Sequence, residues 1–208
     1  MKILAASYRF SDSVLALLAT FIPKGVGPES TIGICCNAFQ YFGARRLIGA
    51  FKAKTFRSMG YQTVYVDLAR LSTAQLDELM QSFHNLYVSY GDTRCLLNRW
   101  ERSGHGSALL AHIQQNNGTL IGESAGTILF GASIETADYL GDKQDVQPPT
   151  LNGLNLFSNR KSFFVHVTSK NQDKVSNAVS GMPDCTIIPL SDGETYVRYV
   201  DGKEEKIA

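Results

Sequence analysis

The segment Thr119-Leu120-Ile121-Gly122-Glu123-Ser124-Ala125-Gly126-Thr127-Ile128-Leu129-Phe130 runs from one apolar stretch, through a glycine-flanked serine, into another. The first stretch has the length of a buried strand and the second starts a helix, so the chain must turn sharply at Gly122-Glu123-Ser124-Ala125-Gly126. In such a turn the central residue is strained. Its small neighbours let strand and helix approach, and the serine hydroxyl stands above the sheet. The helix start also offers the amide of Ala125 to a developing oxyanion. A strand-to-helix turn with a capping serine has the same pattern, so the pentapeptide needs partners before it carries chemistry.

Working outward, short apolar runs alternate with longer amphipathic ones, the pattern of a parallel sheet covered by helices on both faces. Strands are expected at Lys2–Ser7, Thr31–Cys35, Gln62–Asp67, Asn85–Ser89 and Thr119–Gly122. Helices are expected near Ser11–Phe21, Ala44–Met59, Thr73–Phe83, Thr93–Ser103 and Ser107–Asn116, the third opened by a capping box of Ser72 and Gln75. The acidic stretch Glu135 to Gln147, followed by Pro148-Pro149, reads as a long surface loop. A strand at Ser162–Val167, a helix near Gln172–Ser180 and a strand at Thr186–Leu190 follow. The chain closes with a hairpin of Thr195–Val200 and Glu204–Ile207 around Asp201-Gly202. The fold expected is a doubly wound α/β sandwich with a C-terminal β-hairpin, in a single domain over residues 1–208.

Composition narrows the partners. The 208 residues carry 20 Lys and Arg against 19 Asp and Glu, a balance that gives no footprint for nucleic acid or an anionic membrane. Cys35, Cys36, Cys95 and Cys185 lack the two-residue spacing of zinc ribbons and redox dithiols, and read as buried thiols. The start Met1-Lys2-Ile3-Leu4-Ala5-Ala6-Ser7 is too short for a signal peptide and no later stretch reaches the length of a membrane span, so a cytoplasmic setting is expected. Neither a metal nor a cofactor is expected. The partners expected are a short peptide substrate and, at most, a second copy of the chain in a homodimer.

A serine hydroxyl needs a base, and four histidines compete. Reacting groups gather beyond the carboxyl ends of parallel strands. His84 precedes a strand, His105 joins two helices and His112 lies inside a helix. His166 ends the run Ser162-Phe163-Phe164-Val165 at the carboxyl edge, and is the base expected. For the carboxylate that fixes the imidazole, Asp192 and Glu194 both follow Thr186–Leu190, and Asp192 is preferred because it lies in the turn itself. An ordinary turn would also place an aspartate there. In the loop Ser89-Tyr90-Gly91-Asp92-Thr93, Asp92 is placed to cap a helix, while the Gly91 amide either completes an oxyanion hole or serves backbone conformation alone.

The order Ser124, His166, Asp192 differs from that of α/β-hydrolases. The chain resembles the S51 peptidases, the family of aspartyl dipeptidase (peptidase E) and cyanophycinase, whose fold is like that of class I glutamine amidotransferases. The likeness covers nearly the whole length, including Ser7 to Ser11 and Ser58-Met59-Gly60-Tyr61, and is strongest from Tyr87 to Gly131. The resemblance implies a serine peptidase with Ser124 as nucleophile, His166 and Asp192 as its partners, and Gly91 and Ala125 as oxyanion donors. Three departures stand out. Only the third glycine of the family's glycine loop is kept, Asp92 replaces its Asn, and His166 lies between Val165 and Val167 rather than after a proline. Related peptidases cut after an N-terminal aspartate, which requires a cation and an anion for the substrate. Arg94, Arg160, Glu123 and Asp92 are the substrate-binding residues considered. An amidase-like or non-catalytic member of the same fold is the alternative.

Overall fold

The computed structural model describes residues 1–142 and 146–208. Five strands, β1 (Lys2–Ala6), β2 (Thr31–Cys35), β3 (Gln62–Val66), β4 (Asn85–Val88) and β5 (Thr119–Glu123), pair in parallel in the order β3-β2-β4-β5-β1. Two more, β8 (Thr195–Arg198) and β9 (Glu204–Ile207), extend the sheet antiparallel from β1. The expected hairpin is therefore not an appendage, because β8 pairs with β1 from Ile3↔Arg198 to Ala6↔Thr195. β2, β4 and β5 are buried at every position, which is why they read as continuous apolar runs rather than alternating ones.

Helices cover both faces. On one side α1 (Asp12–Phe21) and α2 (Phe42–Ser58) pack Leu18, Phe21 and Phe56 onto Leu4, Ile34, Tyr87 and Ile121. On the other lie α3 (Thr73–Met80), α4 (Thr93–Arg102), α5 (His105–Gln115) and α6 (Ala125–Phe130), which bury Leu76, Leu97, Leu109, Ile113 and Leu129 against Leu86, Val88 and Leu120. The expected capping box is formed, with Ser72 accepting from the Gln75 amide and Gln75 accepting from the Ser72 amide.

The remaining strands form where the sequence places them, but outside the main sheet. β6 (Lys161–Val167) and β7 (Thr186–Ser191) form a separate two-stranded parallel sheet, linked by α8 (Gln172–Gly181). Phe163 and Val165 face the larger core, while Phe164 and Val167 pack on Ala178 of α8.

The acidic stretch read as a surface loop holds a helix instead, α7 (Thr136–Leu140), with Thr136 and Ala137 fully buried. One of its acids, Asp138, is consumed by an ion pair with Arg94. The part of that stretch at residues 143–145 lies outside the described residues. No helix among the described residues is long and apolar enough to cross a membrane.

Candidate active site

The elbow forms where the sequence places it. Ser124 sits between β5 and α6 with φ 52° and ψ −107°, a left-handed backbone that a non-glycine residue adopts only when its surroundings impose it. Those surroundings are close. A Cβ on Gly126 would stand 2.3 Å from the carbonyl oxygen of Val88, so only glycine lets α6 approach β4. The Ser124 amide donates to the Ala6 carbonyl (3.0 Å) and the Thr127 hydroxyl donates to the same oxygen (2.6 Å), which anchors the turn to the end of β1.

His166 reaches Ser124 from the second sheet. The β6–β7 register slips between Phe164↔Pro189 and Val167↔Ser191, so β6 carries one extra residue there, and His166 takes φ 56°. A bulge re-aims the side chain that it carries. Here it turns the imidazole towards the elbow, with Nε2 2.9 Å from Ser124 Oγ. The expected carboxyl-edge position is thus reached from a different sheet. Two polar contacts hold the bulge, a bond from the His166 amide to Ser7 Oγ (2.8 Å) and one from Asn171 Nδ2 to the His166 carbonyl (2.9 Å).

Asp192 lies in the turn after β7, with Oδ1 2.8 Å from His166 Nδ1. With Nδ1 donating to this carboxylate, Nε2 is left to accept from the Ser124 hydroxyl. Glu194 is engaged elsewhere, accepting from the Ser191 amide (2.7 Å) and from Lys206 (3.0 Å). Burial pushes the Glu194 carboxyl up, but hydrogen bonds from Ser191 and Lys206 outweigh it and hold the group below its usual range. The line from serine through imidazole to carboxylate therefore runs through Asp192. The other histidines lie apart from it. His112 bonds the Phe83 carbonyl and packs beside His84, and His105 opens α5.

The glycine loop leaves β4 beside the elbow. Val88 and Gly122 are paired in register, so two parallel chains deliver Gly91 and Ala125 to the same stretch of the rim. Gly91 has φ 133°, and a Cβ there would stand 2.8 Å from that of Ala38. The Ala125 amide is the first of α6, one of those that a helix leaves without an internal acceptor. Asp92 caps α4 as expected, accepting from the Cys95 amide at 2.6 Å.

The substrate-binding residues considered from sequence are mostly committed to structure. Arg94 is buried and holds Asp138 through two nitrogens, with Nη2 2.8 Å from Oδ2, so it joins α4 to α7 instead of facing a ligand. Arg160 precedes β6 and donates to the Asp184 carbonyl, and six residues of extended chain put it roughly 20 Å from His166. Glu123 is fully buried. Its Oε2 accepts from Lys52 (2.5 Å) and from the Tyr87 hydroxyl (2.6 Å), so it is already neutralised from within the fold. Burial and the neighbouring Glu123 carboxylate drive the Tyr87 hydroxyl well above its ordinary pKa, which keeps it a donor.

Sequence reasoning gave Ser7 and Tyr8 no role, yet both border the site. Ser7 is fully buried between His166 and Asp192, and the Tyr8 ring lies edge-on to the imidazole, 5.9 Å between centroids. The available signal was positional, since both follow β1, the strand next to the elbow strand, at its carboxyl end. Among the described residues no group of three or more His, Cys, Asp and Glu is arranged to hold a metal ion.

The model of the peptidase family S51 matches residues 46–207, which include the elbow, the glycine loop, His166 and Asp192. The chain belongs to peptidase family S51. An uncharacterised peptidase of Pasteurella multocida (strain Pm70) is 34% identical over 90 residues, a stretch that spans 42% of each protein. Two solved structures share the fold. A proposed peptidase E from Listeria monocytogenes EGD-e superposes with a TM-score of 0.77 at 20% identity, over 99% of this chain and 97% of that one. A peptidase from an acI-B1 actinobacterium gives 0.71 at 12% identity, over 100% and 87%. The class I glutamine amidotransferase-like architecture expected from sequence is the fold of this S51 peptidase.

Proposed function

We propose that the chain is a serine-type exopeptidase of the dipeptidase kind, formed by residues 1–208 as one hydrolase domain. The observation that carries this reading is the chain of contacts from Ser124 Oγ to His166 Nε2 (2.9 Å) and from His166 Nδ1 to Asp192 Oδ1 (2.8 Å), set on a strained elbow. In the proposed reaction Ser124 Oγ attacks the peptide carbonyl carbon while its proton passes to His166 Nε2. The Gly91 and Ala125 amides stabilise the oxyanion, each worth roughly a hundredfold or more in turnover. The carbon–nitrogen bond then breaks, His166 gives its proton to the leaving amine, and water attacks the acyl-enzyme by the same route in reverse. Asp192 fixes the imidazole tautomer and balances its charge.

A short substrate is supported by the aromatic wall beside the imidazole. Tyr8 meets Tyr90 edge-on at 6.3 Å and Tyr90 meets Phe39 at 5.7 Å, which continues this wall away from the imidazole. The setting proposed is the cytoplasm, and the four cysteines are free thiols, the state that a reducing compartment maintains. Turnover of a dipeptide panel tests the reading. The wild type is expected to cleave members of the panel, and Ser124→Ala and His166→Gln to lose at least about a thousandfold in kcat. Cleavage by Ser124→Ala at the wild-type rate contradicts it.

A further inference from the structure

We propose that the cleft between the loop after β1 and the turn after β7 is a subsite for the free carboxylate of the leaving amino acid, with Arg9 as its cation. The inference rests on the serine-peptidase reading above. The cleft has a volume of about 390 Å³ and is lined by Tyr8, Arg9, Phe10, Ser11, Asp192 and Gly193. It therefore opens beside Asp192, the carboxylate bonded to His166, and shares Tyr8 with the surroundings of the imidazole.

That side has a chemical meaning. In acyl transfer the imidazole that takes the serine proton delivers it to the leaving amine, so the leaving group must lie next to the histidine. When a dipeptide is cut, the leaving group is an amino acid whose carboxylate is one carbon away from that amine. Tyr8 links the two positions. Its ring lies edge-on to His166 at 5.9 Å, and the Arg9 guanidinium stands over the same ring, 5.3 Å from its centroid. A cation one aromatic ring away from the imidazole is placed to meet the carboxylate of a residue leaving from Ser124.

Arg9 is free for this task. It is exposed, and no carboxylate pairs with it among the described residues. Arg94 and Arg160, by contrast, are tied to Asp138 and to the Asp184 carbonyl. Arg9 also takes φ 60°, a left-handed backbone that is strained for a long side chain and that Asn or Gly would adopt more cheaply. A guanidinium carried there at a cost, beside Asp192, matches strain kept where a side chain must be aimed. Its planar fork also suits two-point recognition of a carboxylate. Phe10 and Tyr8 give the cleft apolar surface for the side chain of the leaving residue. A requirement for a free C-terminus one residue beyond the cut is what makes an exopeptidase of this kind release single amino acids.

The test compares dipeptides as free acids with the same dipeptides as C-terminal amides, using wild type, Arg9→Asn and Arg9→Lys. Asparagine tolerates the left-handed backbone but carries no charge. The wild type is expected to favour the acid over the amide roughly ten- to a hundredfold in kcat/KM, the loss typical of a charge-assisted contact. Arg9→Asn is expected to bring that ratio to within about twofold, mainly through KM on the acid, and Arg9→Lys to keep part of it. Labelling of Arg9→Asn by a fluorophosphonate reports that its site is folded. Three results overturn the Arg9 assignment while leaving the nucleophile in place: equal turnover of acid and amide by the wild type, a ratio unchanged in Arg9→Asn, or cleavage of no dipeptide by an enzyme that is labelled at Ser124. Absence of labelling at Ser124 overturns this inference together with the reading that it rests on.

Discussion

The Ser7 hydroxyl donates to Oδ1 of Asp192 across 3.2 Å, joining the end of β1 to the turn after β7. Its oxygen also accepts from the His166 amide, so one buried side chain touches both partners of Ser124. Ser7→Ala leaves that amide without its acceptor and the carboxylate with one donor fewer. Loss of such a bond is worth about 1 kcal/mol, so kcat is expected to fall about fivefold with a smaller change in KM. Steady-state kinetics on Ser7→Ala and Ser7→Thr check this, the threonine keeping the hydroxyl and most of the rate.

A methyl group at position 126 would collide with the Val88 carbonyl. Gly126→Ala is expected to cost about 1–3 kcal/mol of stability, the range for overpacking a tight site. It should also displace Ser124 from His166. Thermal unfolding read beside the rate of fluorophosphonate labelling checks both effects, and an unaltered melting temperature contradicts the packing account.

Lys52 pairs with Glu123, the elbow residue just before Ser124, with side-chain exposures of 12% and 1%. Lys52→Met strands a carboxylate in the core and is expected to destabilise the fold by about 3–5 kcal/mol. The double variant Lys52→Met/Glu123→Gln removes the uncompensated charge and should recover part of that loss, measured by urea denaturation. Equal destabilisation in the single and double variants would show that the charge is not what matters.

Acid sensitivity is expected at the sheet edge. Burial pushes the Glu204 carboxyl up, but hydrogen bonds from Lys161 and Ser158 dominate and lower it. A carboxylate lowered on folding contributes stability that is present above its ordinary value near 4.5 and is lost as pH falls through the depressed one. Lys161 behaves in mirror image. Burial lowers its pKa, the contacts with Glu204 raise it by more, and its contribution fades only as pH rises through the raised value. Glu204→Gln should therefore lower stability at neutral pH and flatten its decline in acid, followed by denaturant titrations from pH 7 to 3.

The main parallel strands and their helices were legible because a parallel sheet buried on both faces leaves unbroken apolar runs between amphipathic ones. β2 begins and ends where the sequence places it, and Ser72, Ser11 and Asp92 cap the helices they precede. Ser124, His166 and Asp192 converge because each ends a strand or follows one, and chain order alone locates such positions. Two features were hidden. Which sheet β6 joins depends on contacts distant in sequence, so the small β6–β7 sheet left no local mark. α7 was masked because Asp138 has the look of a solvated acid until Arg94 is set opposite it. For the same reason Arg94 and Glu123 drew attention as ligand-binding charges. A charged residue in a motif does not reveal whether its counter-ion lies in the fold or in a substrate, and here Asp138 and Lys52 supply it.

In the proposed reaction the Ser124 oxygen is a nucleophile activated by His166. Intact-protein and peptide mass spectrometry after exposure to a fluorophosphonate tests it most directly. One phosphonyl adduct is expected, located on Ser124, absent from Ser124→Ala and formed far more slowly in His166→Gln. An adduct on another residue, or labelling of Ser124→Ala at the wild-type rate, would contradict it.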